Sequence, residues 1–207
     1  MYSTMHKLKR FLLVFALIWA RSHGLLTDAQ FKQATWDYVQ DMATATTKWG
    51  DIGDWDTSGV ADFSYAFSKH RTKDGESFVA NGNPKAATFV GTAISKWDTA
   101  SATSLYRTFY GANEMNADLS GWKVGNVVTL KQTFRGAYKF TGTGVDTWDV
   151  AKVTTMSGTF LSTTSLTSCN KRKIADAWAT SDIFNATDYP TDWAADTCPP
   201  PQSPPNT

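Results

Sequence analysis

Few residues of this 207-residue chain have the type and spacing that chemistry requires. Of the three histidines, His6 and His23 fall in the first stretch, so a Ser-His or Cys-His nucleophilic pair would have to use His70. His70 sits in a basic, loop-like run, Ser68-Lys69-His70-Arg71-Thr72-Lys73, and no catalytic role is assigned to it. No H-E-x-x-H, phosphate-cradling glycine loop or spaced Cys/His zinc set is present, and no cofactor or resident metal is expected.

Carboxylates offer a second route. Asp56, Asp98 and Asp149 each follow a Trp at equivalent positions, and stacked segments would bring such residues within about 5 Å, close enough to share a calcium ion or form an acid/base pair. Lys123 takes the corresponding place after Trp122 and would interrupt any ladder of metal sites. The favoured reading is that each Asp caps a turn by accepting backbone N–H groups. A glycan-cleaving enzyme using two aspartates is the weakest of the functional readings.

Two further columns concern binding. Trp55, Trp97, Trp122 and Trp148, if exposed, would form a strip for stacking on sugar rings; an aliphatic residue three before each one favours a buried stack instead. Thr108, Thr133 and Thr159 suggest an exposed hydroxyl row, broken by Ala66. The two cysteines, Cys169 and Cys198, are expected to form one disulfide, worth about 3 kcal/mol in the loop-entropy account. Asn185-Ala186-Thr187 is an N-glycosylation sequon, used only in a eukaryotic host.

Internal repetition positions these residues. Ile52, Ile94, Leu119 and Val145 precede the four Trp by three. Val60, Ala102, Val127 and Val153 follow by five; then come Phe63, Leu105, Leu130 and Met156, and finally Phe67, Phe109, Phe134 and Phe160. Successive Trp stand 25 and 26 residues apart from Trp97 onward, the period of solenoid coils. The expected fold is a leucine-rich-repeat-like solenoid of about four coils over residues 51–168, with a polar, turn-rich insertion at 68–88. Each coil should carry a short parallel strand ending at its Trp and a short helical turn at the Val-x-x-Leu-x-x-x-Phe positions.

Caps complete the plan. Thr27 with Gln30 predicts a capping box opening a helix to about Ala45, within an N-terminal cap at 25–50, packing through Phe31, Ala34, Tyr38 and Met42. Asn170 predicts the start of a helix at 171–179, within a disulfide-linked cap at 169–198. Residues 199–207 read as a Pro-rich disordered tail. At the other end, a basic segment to Arg10, an apolar run at 11–20 and the pair Ser22 and Gly24 read as a signal peptide spanning 1–24. The apolar run falls short of the roughly twenty residues that span a bilayer.

The repeats resemble the BspA-type leucine-rich-repeat surface proteins, including the form found in Mycoplasma-like lipoproteins. The likeness is carried by Trp97-Asp98-Thr99 with Ala102 to Phe109, Leu119-Ser120-Gly121-Trp122 with Val127 to Phe134, and Trp148-Asp149-Val150 with Val153 to Phe160. It implies a curved solenoid with a parallel sheet on one face and an extracellular binding role without common catalytic residues. A lipid anchor of the bacterial lipoprotein kind is not expected, because no cysteine follows the leader.

Charge narrows the partners. Without Lys7, Lys9, Arg10 and Arg21 of the leader, sixteen of the 20 Lys and Arg face 19 Asp and Glu, a net of −3. That balance argues against nucleic acid or an anionic membrane. The expected function is a secreted, non-catalytic binding or adhesion module for an extracellular protein or glycan. The alternative is a structural component of a cell covering that self-associates. The insertion reads first as a tolerated surface excursion and second as a recognition loop; function, if local, is expected there or in the C-terminal cap.

Overall fold

A computed structural model describes residues 24–200. The leader expected at 1–24, Gly24 excepted, and the tail from 201 onward lie outside the described residues.

Thr27 closes the capping box: Gln30 N–H donates to its hydroxyl, and Thr27 N–H donates to Gln30 Oε1. Helix α1 follows as Asp28–Gln40. The expected single helix to about Ala45 is in fact two, because Asp41 takes an extended φ of −157°. Its carboxylate accepts Thr44 N–H at 3.1 Å and starts α2, Met42–Trp49. A strong N-cap residue inside an apolar pattern has overridden the pattern. The break leaves Met42 exposed rather than packed, whereas Phe31 and Ala34 remain buried. The Phe31 ring lies 4.7 Å from Phe63 and 5.4 Å from Trp97, so α1 covers the first repeat.

In the repeats the backbone reverses the expected assignment. Just before three of the four Trp, at Ile52–Asp54, Thr92–Lys96 and Val145–Thr147, the chain forms 3₁₀ turns where strands were expected. No β-strand occurs among the described residues. Parallel pairing is confined to single bridges that link Asp62, Ser104, Thr129 and Thr155 in succession, at the positions expected to be helical. Leu130, Gln132, Phe134 and Gly136 N–H donate to the carbonyls of Thr155, Ser157, Thr159 and Leu161 in the next segment. Between them, Thr133, Arg135 and Ala137 N–H turn back to Leu130, Gln132 and Phe134 O. Alternate amides thus bond the neighbour and the local turn, so the backbone is satisfied without a strand or a helix. The same alternation recurs at Phe63 to Lys69 and at Leu105 to Gly111.

What stops a strand is a left-handed residue at one column: Tyr65, Arg107, Gln132 and Gly158 have φ of 60°, 56°, 59° and 65°. The turn closed by Thr133 N–H and Leu130 O holds Gln132 third, where a type II turn needs positive φ. Three of the four are not glycine, each accepting a cost on the order of 1–2 kcal/mol.

The core is aromatic and continuous. Trp55, Trp97, Trp122 and Trp148 are buried in a near-parallel stack with centroids 5.9, 6.3 and 6.5 Å apart. Phe67, Phe109, Phe134 and Phe160 form a second stack at 5.9, 5.7 and 5.7 Å. Indole N–H groups of Trp97, Trp122 and Trp148 donate to Ile52, Ile94 and Leu119 O, the aliphatic column of the segment before.

Thr108, Thr133 and Thr159 are fully buried, which corrects the expected exposed row. Their hydroxyls donate to Phe63, Leu105 and Leu130 O at 3.1, 2.9 and 2.9 Å. Each of these carbonyls already accepts a turn amide, and threonine fills its second lone pair. Ala66 occupies the first position of the column, where α1 rather than another repeat lies before it.

The far end is closed by helices α3, Ser168–Ala177, α4, Asp182–Asn185, and α5, Tyr189–Asp192. Thr167, not Asn170, caps α3, because its hydroxyl accepts Asn170 N–H at 3.1 Å. Asn170 lies inside the helix and donates its amide to Thr141 O at 2.8 Å, tying the cap to the repeats. Trp178, Phe184 and Trp193 are buried there, with Trp178 and Trp193 6.0 and 5.4 Å from Phe160. Cys169 and Cys198 form a disulfide. No helix among the described residues is long and apolar enough to cross a membrane.

Candidate functional site: a groove beside the insertion

The insertion is anchored from within. Arg71 is 0% exposed, and its guanidinium donates to the carbonyls of Lys32, Ala66 and Lys73 and to the Thr35 hydroxyl at 2.7–3.1 Å. Burial pulls Arg71 down to about 10, with Asp74 and Glu76 opposing, so it stays charged at neutral pH. Lys32, also buried, donates to Asp62 at 2.7 Å and Glu76 at 2.8 Å. Burial opposes ionisation of Asp62, but the bonds from Lys32 and Ser64 outweigh it and hold that carboxyl below its ordinary range. Asn83 is buried, donates to Ser68 O and accepts from Gln40. These contacts, with the antiparallel Arg71 to Phe78 bridge, fold the insertion back and deliver an exposed Phe78 onto the repeat surface.

There Phe78 meets the outer side of the left-handed column. The Arg107 guanidinium lies 4.8, 4.9, 5.4 and 5.8 Å from the rings of Phe78, Tyr106, Tyr110 and Tyr65. Its Nε donates to Gln132 Oε1 at 2.6 Å, which fixes it along the column. The Arg135 guanidinium lies 5.3 Å from the Tyr110 ring. His70 packs 4.7 Å from Tyr110 and 5.5 Å from Phe78, and its Nδ1 accepts Asn81 N–H at 3.1 Å. Burial, then the charges of Lys69, Arg107 and Arg135, hold His70 below its ordinary 6.5, so it is neutral at pH 7. Among the described residues no carboxylate lies in ion-pair reach of Lys69, Arg107 or Arg135.

A groove of about 250 Å³ opens between Lys69, His70, Tyr110, Arg135, Tyr138 and Ser162. Gly111 and Gly136, at φ of 70° and 71°, also line it. A Cβ on Gly111 would sit 3.0 Å from Lys69 Cβ and 3.2 Å from His70 Nε2, so glycine avoids crowding these two residues. A more apolar groove of about 360 Å³ lies by Tyr38, Phe89 and Val90, but Lys85 there is bonded to Gln40 O.

The other sequence-predicted residues do not converge on this groove. Asp56, Asp98 and Asp149 accept Ser58, Ala100 and Ala151 N–H at 3.0–3.1 Å, the geometry of turn caps. Lys123, which interrupts their column, lies 3.6 Å from Asp98. Among the described residues no group of three or more His, Cys, Asp or Glu is placed to hold a metal. Asn185 is exposed at the end of α4, its Nδ2 donating to Ala179 O at 2.9 Å.

A family model described as Mycoplasma protein of unknown function, DUF285, matches residues 37–87 and 76–193. The chain belongs to that family. The two matched stretches overlap inside the insertion and together take in the repeats, the groove and most of the C-terminal cap. No curated protein matches the chain, and no solved structure does.

Sequence reasoning placed His70 and Arg71 in the basic start of the insertion, a candidate recognition loop, and passed over Arg107, Tyr110 and Arg135. A signal was available. Gly158 shares a column with Tyr65, Arg107 and Gln132, and Gly111 and Gly136 share another. Glycine in register with large residues marks a left-handed position, which aims neighbouring side chains outward.

Proposed function

We propose that the chain is a secreted, non-catalytic binding or adhesion module, a short BspA-like, leucine-rich-repeat-like solenoid of about four coils. The ladder of backbone bonds between successive segments and the two aromatic stacks support that architecture, since each segment buries its edges only against its neighbours. The Cys169–Cys198 disulfide fits an oxidising compartment.

The observation that carries the binding reading is the groove. Tyr110, Tyr138 and the cations Lys69 and Arg135 line it, with Arg107 and Phe78 packed nearby, and none of these cations has a carboxylate in ion-pair reach among the described residues. Such an arrangement contributes little to stability and suits an extracellular glycan or protein ligand. Assembly into a covering is less favoured, because α1 covers one end of the stack and α3 to α5 the other. Screening the disulfide-intact secreted chain against immobilised glycans and extracellular matrix proteins tests the reading. Saturable binding is expected; polymerisation with no ligand found would favour the structural alternative.

A further inference from the structure

We propose that the groove between Lys69, Tyr110, Arg135 and Tyr138 binds one residue of an anionic polysaccharide, a glycan carrying carboxylate or sulfate groups. This rests on the binding-module reading and names the ligand class.

Three features converge. First, the groove concentrates positive charge in a chain whose remaining composition, leader excluded, is net acidic. Arg135 presents a planar fork suited to a carboxylate or sulfate, and Lys69 a point charge beside it. Arg107, held by Gln132 and packed 5.4 Å from the Tyr110 ring, adds a fixed charge next to the groove without lining it.

Second, two aromatic rings, Tyr110 and Tyr138, border the otherwise polar groove, and Tyr138 is 47% exposed. Phe78 packs outside it, against His70 and Tyr110. The exposed Tyr138 ring suits the C–H side of a pyranose, while the Tyr110 hydroxyl remains for its polar edge.

Third, the groove is small. Its volume of about 250 Å³ lies below the roughly 300–1,000 Å³ of drug-sized ligand sites, and fits a single ring of a longer chain. Arg135 also lines a wider depression of about 630 Å³ beside Leu161 and Tyr189, giving the polymer a path onward. That depression carries Asp188 and Asp192, so a neutral sugar is expected there and the anionic one in the first. An acidic peptide fits less well. The backbone amides of this face are taken up by the neighbouring segment or the local turn, leaving no edge to pair with an extended chain.

The test is affinity electrophoresis and calorimetry of the disulfide-intact secreted chain against dextran sulfate, polygalacturonate, neutral dextran and poly-glutamate. Binding to dextran sulfate or polygalacturonate, at least tenfold tighter than to dextran and weakening with added salt, is the expected result. Comparison of these two polymers separates sulfate from carboxylate recognition. Arg135→Ala and Tyr110→Ala should each weaken it about tenfold, while Lys152→Ala, which removes the same charge from a distant exposed site, should leave it unchanged. Thermal melts of each variant separate loss of the site from loss of the fold. Tyr110→Phe, which keeps the ring, provides a second reading should Tyr110→Ala unfold. Equal binding to dextran, or equal loss in Lys152→Ala, would overturn the proposal while leaving a binding module standing. Tighter binding to poly-glutamate would replace the glycan by an acidic protein. Absence of binding to all four polymers would end the glycan proposal, and only failure of the wider ligand screen as well would end the binding reading.

Discussion

The repeat stack and the C-terminal cap bury tryptophan equally well but treat its polar atom differently. In the stack, Trp97, Trp122 and Trp148 each donate an indole N–H to a carbonyl of the preceding segment. In the cap, Trp178 is 1% exposed and its Nε1 has no partner. Repetition accounts for the contrast. Once one segment offers a carbonyl at the right height, translation offers it again to the next, and the Thr108, Thr133 and Thr159 hydroxyls exploit the same regularity. The cap has no following segment, so it closes the apolar end at the expense of a stranded donor and relies on the Cys169–Cys198 link.

The largest effect expected is from Trp122→Ala, which opens the middle of the stack and should destabilise by about 3–5 kcal/mol in denaturant unfolding. A loss under 1 kcal/mol would mean that the stack does not hold the molecule together. Next is removal of the disulfide by Cys169→Ser with Cys198→Ser, worth about 3 kcal/mol. Hydrogen exchange should rise first in α3 to α5. Equal acceleration at Leu130 and Phe134 would erase the distinction between the two regions.

A sharper contrast comes from one substitution made twice. Trp122→Phe removes a satisfied donor and should cost about 1–2 kcal/mol, whereas Trp178→Phe removes an unsatisfied one and should cost less than 1 kcal/mol or stabilise. Matching losses in thermal melts would show that Trp178 has a partner in solution.

Gentler effects belong to the groove face. Because the folded pKa of His70 lies below its ordinary value, the stability linked to it is fully present above about pH 6.5 and is lost as pH falls through the folded value. The groups facing it are Lys69, Arg107, Arg135 and Tyr110, and bound anion should reverse the trend by raising the imidazole pKa. Melting temperature measured from pH 8 to pH 5, with and without dextran sulfate, checks both signs. Smallest of all, Gly158→Ala should cost about 1 kcal/mol, because φ is 65° yet the nearest side-chain atom, Gln132 Cγ, lies 3.4 Å from the added Cβ. Gln132→Gly, at the same column, should be near neutral.

The columns of Trp, Phe and aliphatic residues were legible in the sequence because burial imposes one residue type at one spacing, and the stack repeats that demand in every segment. The Asp turn caps and the Cys169–Cys198 link were legible for a similar reason: each is a local or pairwise requirement. The order of turn and extended chain within a segment was not. Val127, Leu130 and Phe134 have helical spacing, yet their backbone bridges to neighbouring segments, since spacing of 3 and 4 also results from successive tight turns. Met42 and Asn170 failed for a different reason, because a better cap, Asp41 or Thr167, stood within three residues.

By itself the sequence determined that the Trp, Phe and aliphatic columns face the core and that successive segments repeat, because both follow from apolar periodicity. Only the tertiary structure decided which exposed residues meet. Arg71, buried by contacts 36 and 39 residues away at Thr35 and Lys32, fixes the insertion, and the insertion brings Phe78 against Arg107. The groove arises where those distant parts meet, and no local pattern of residues encodes such a meeting.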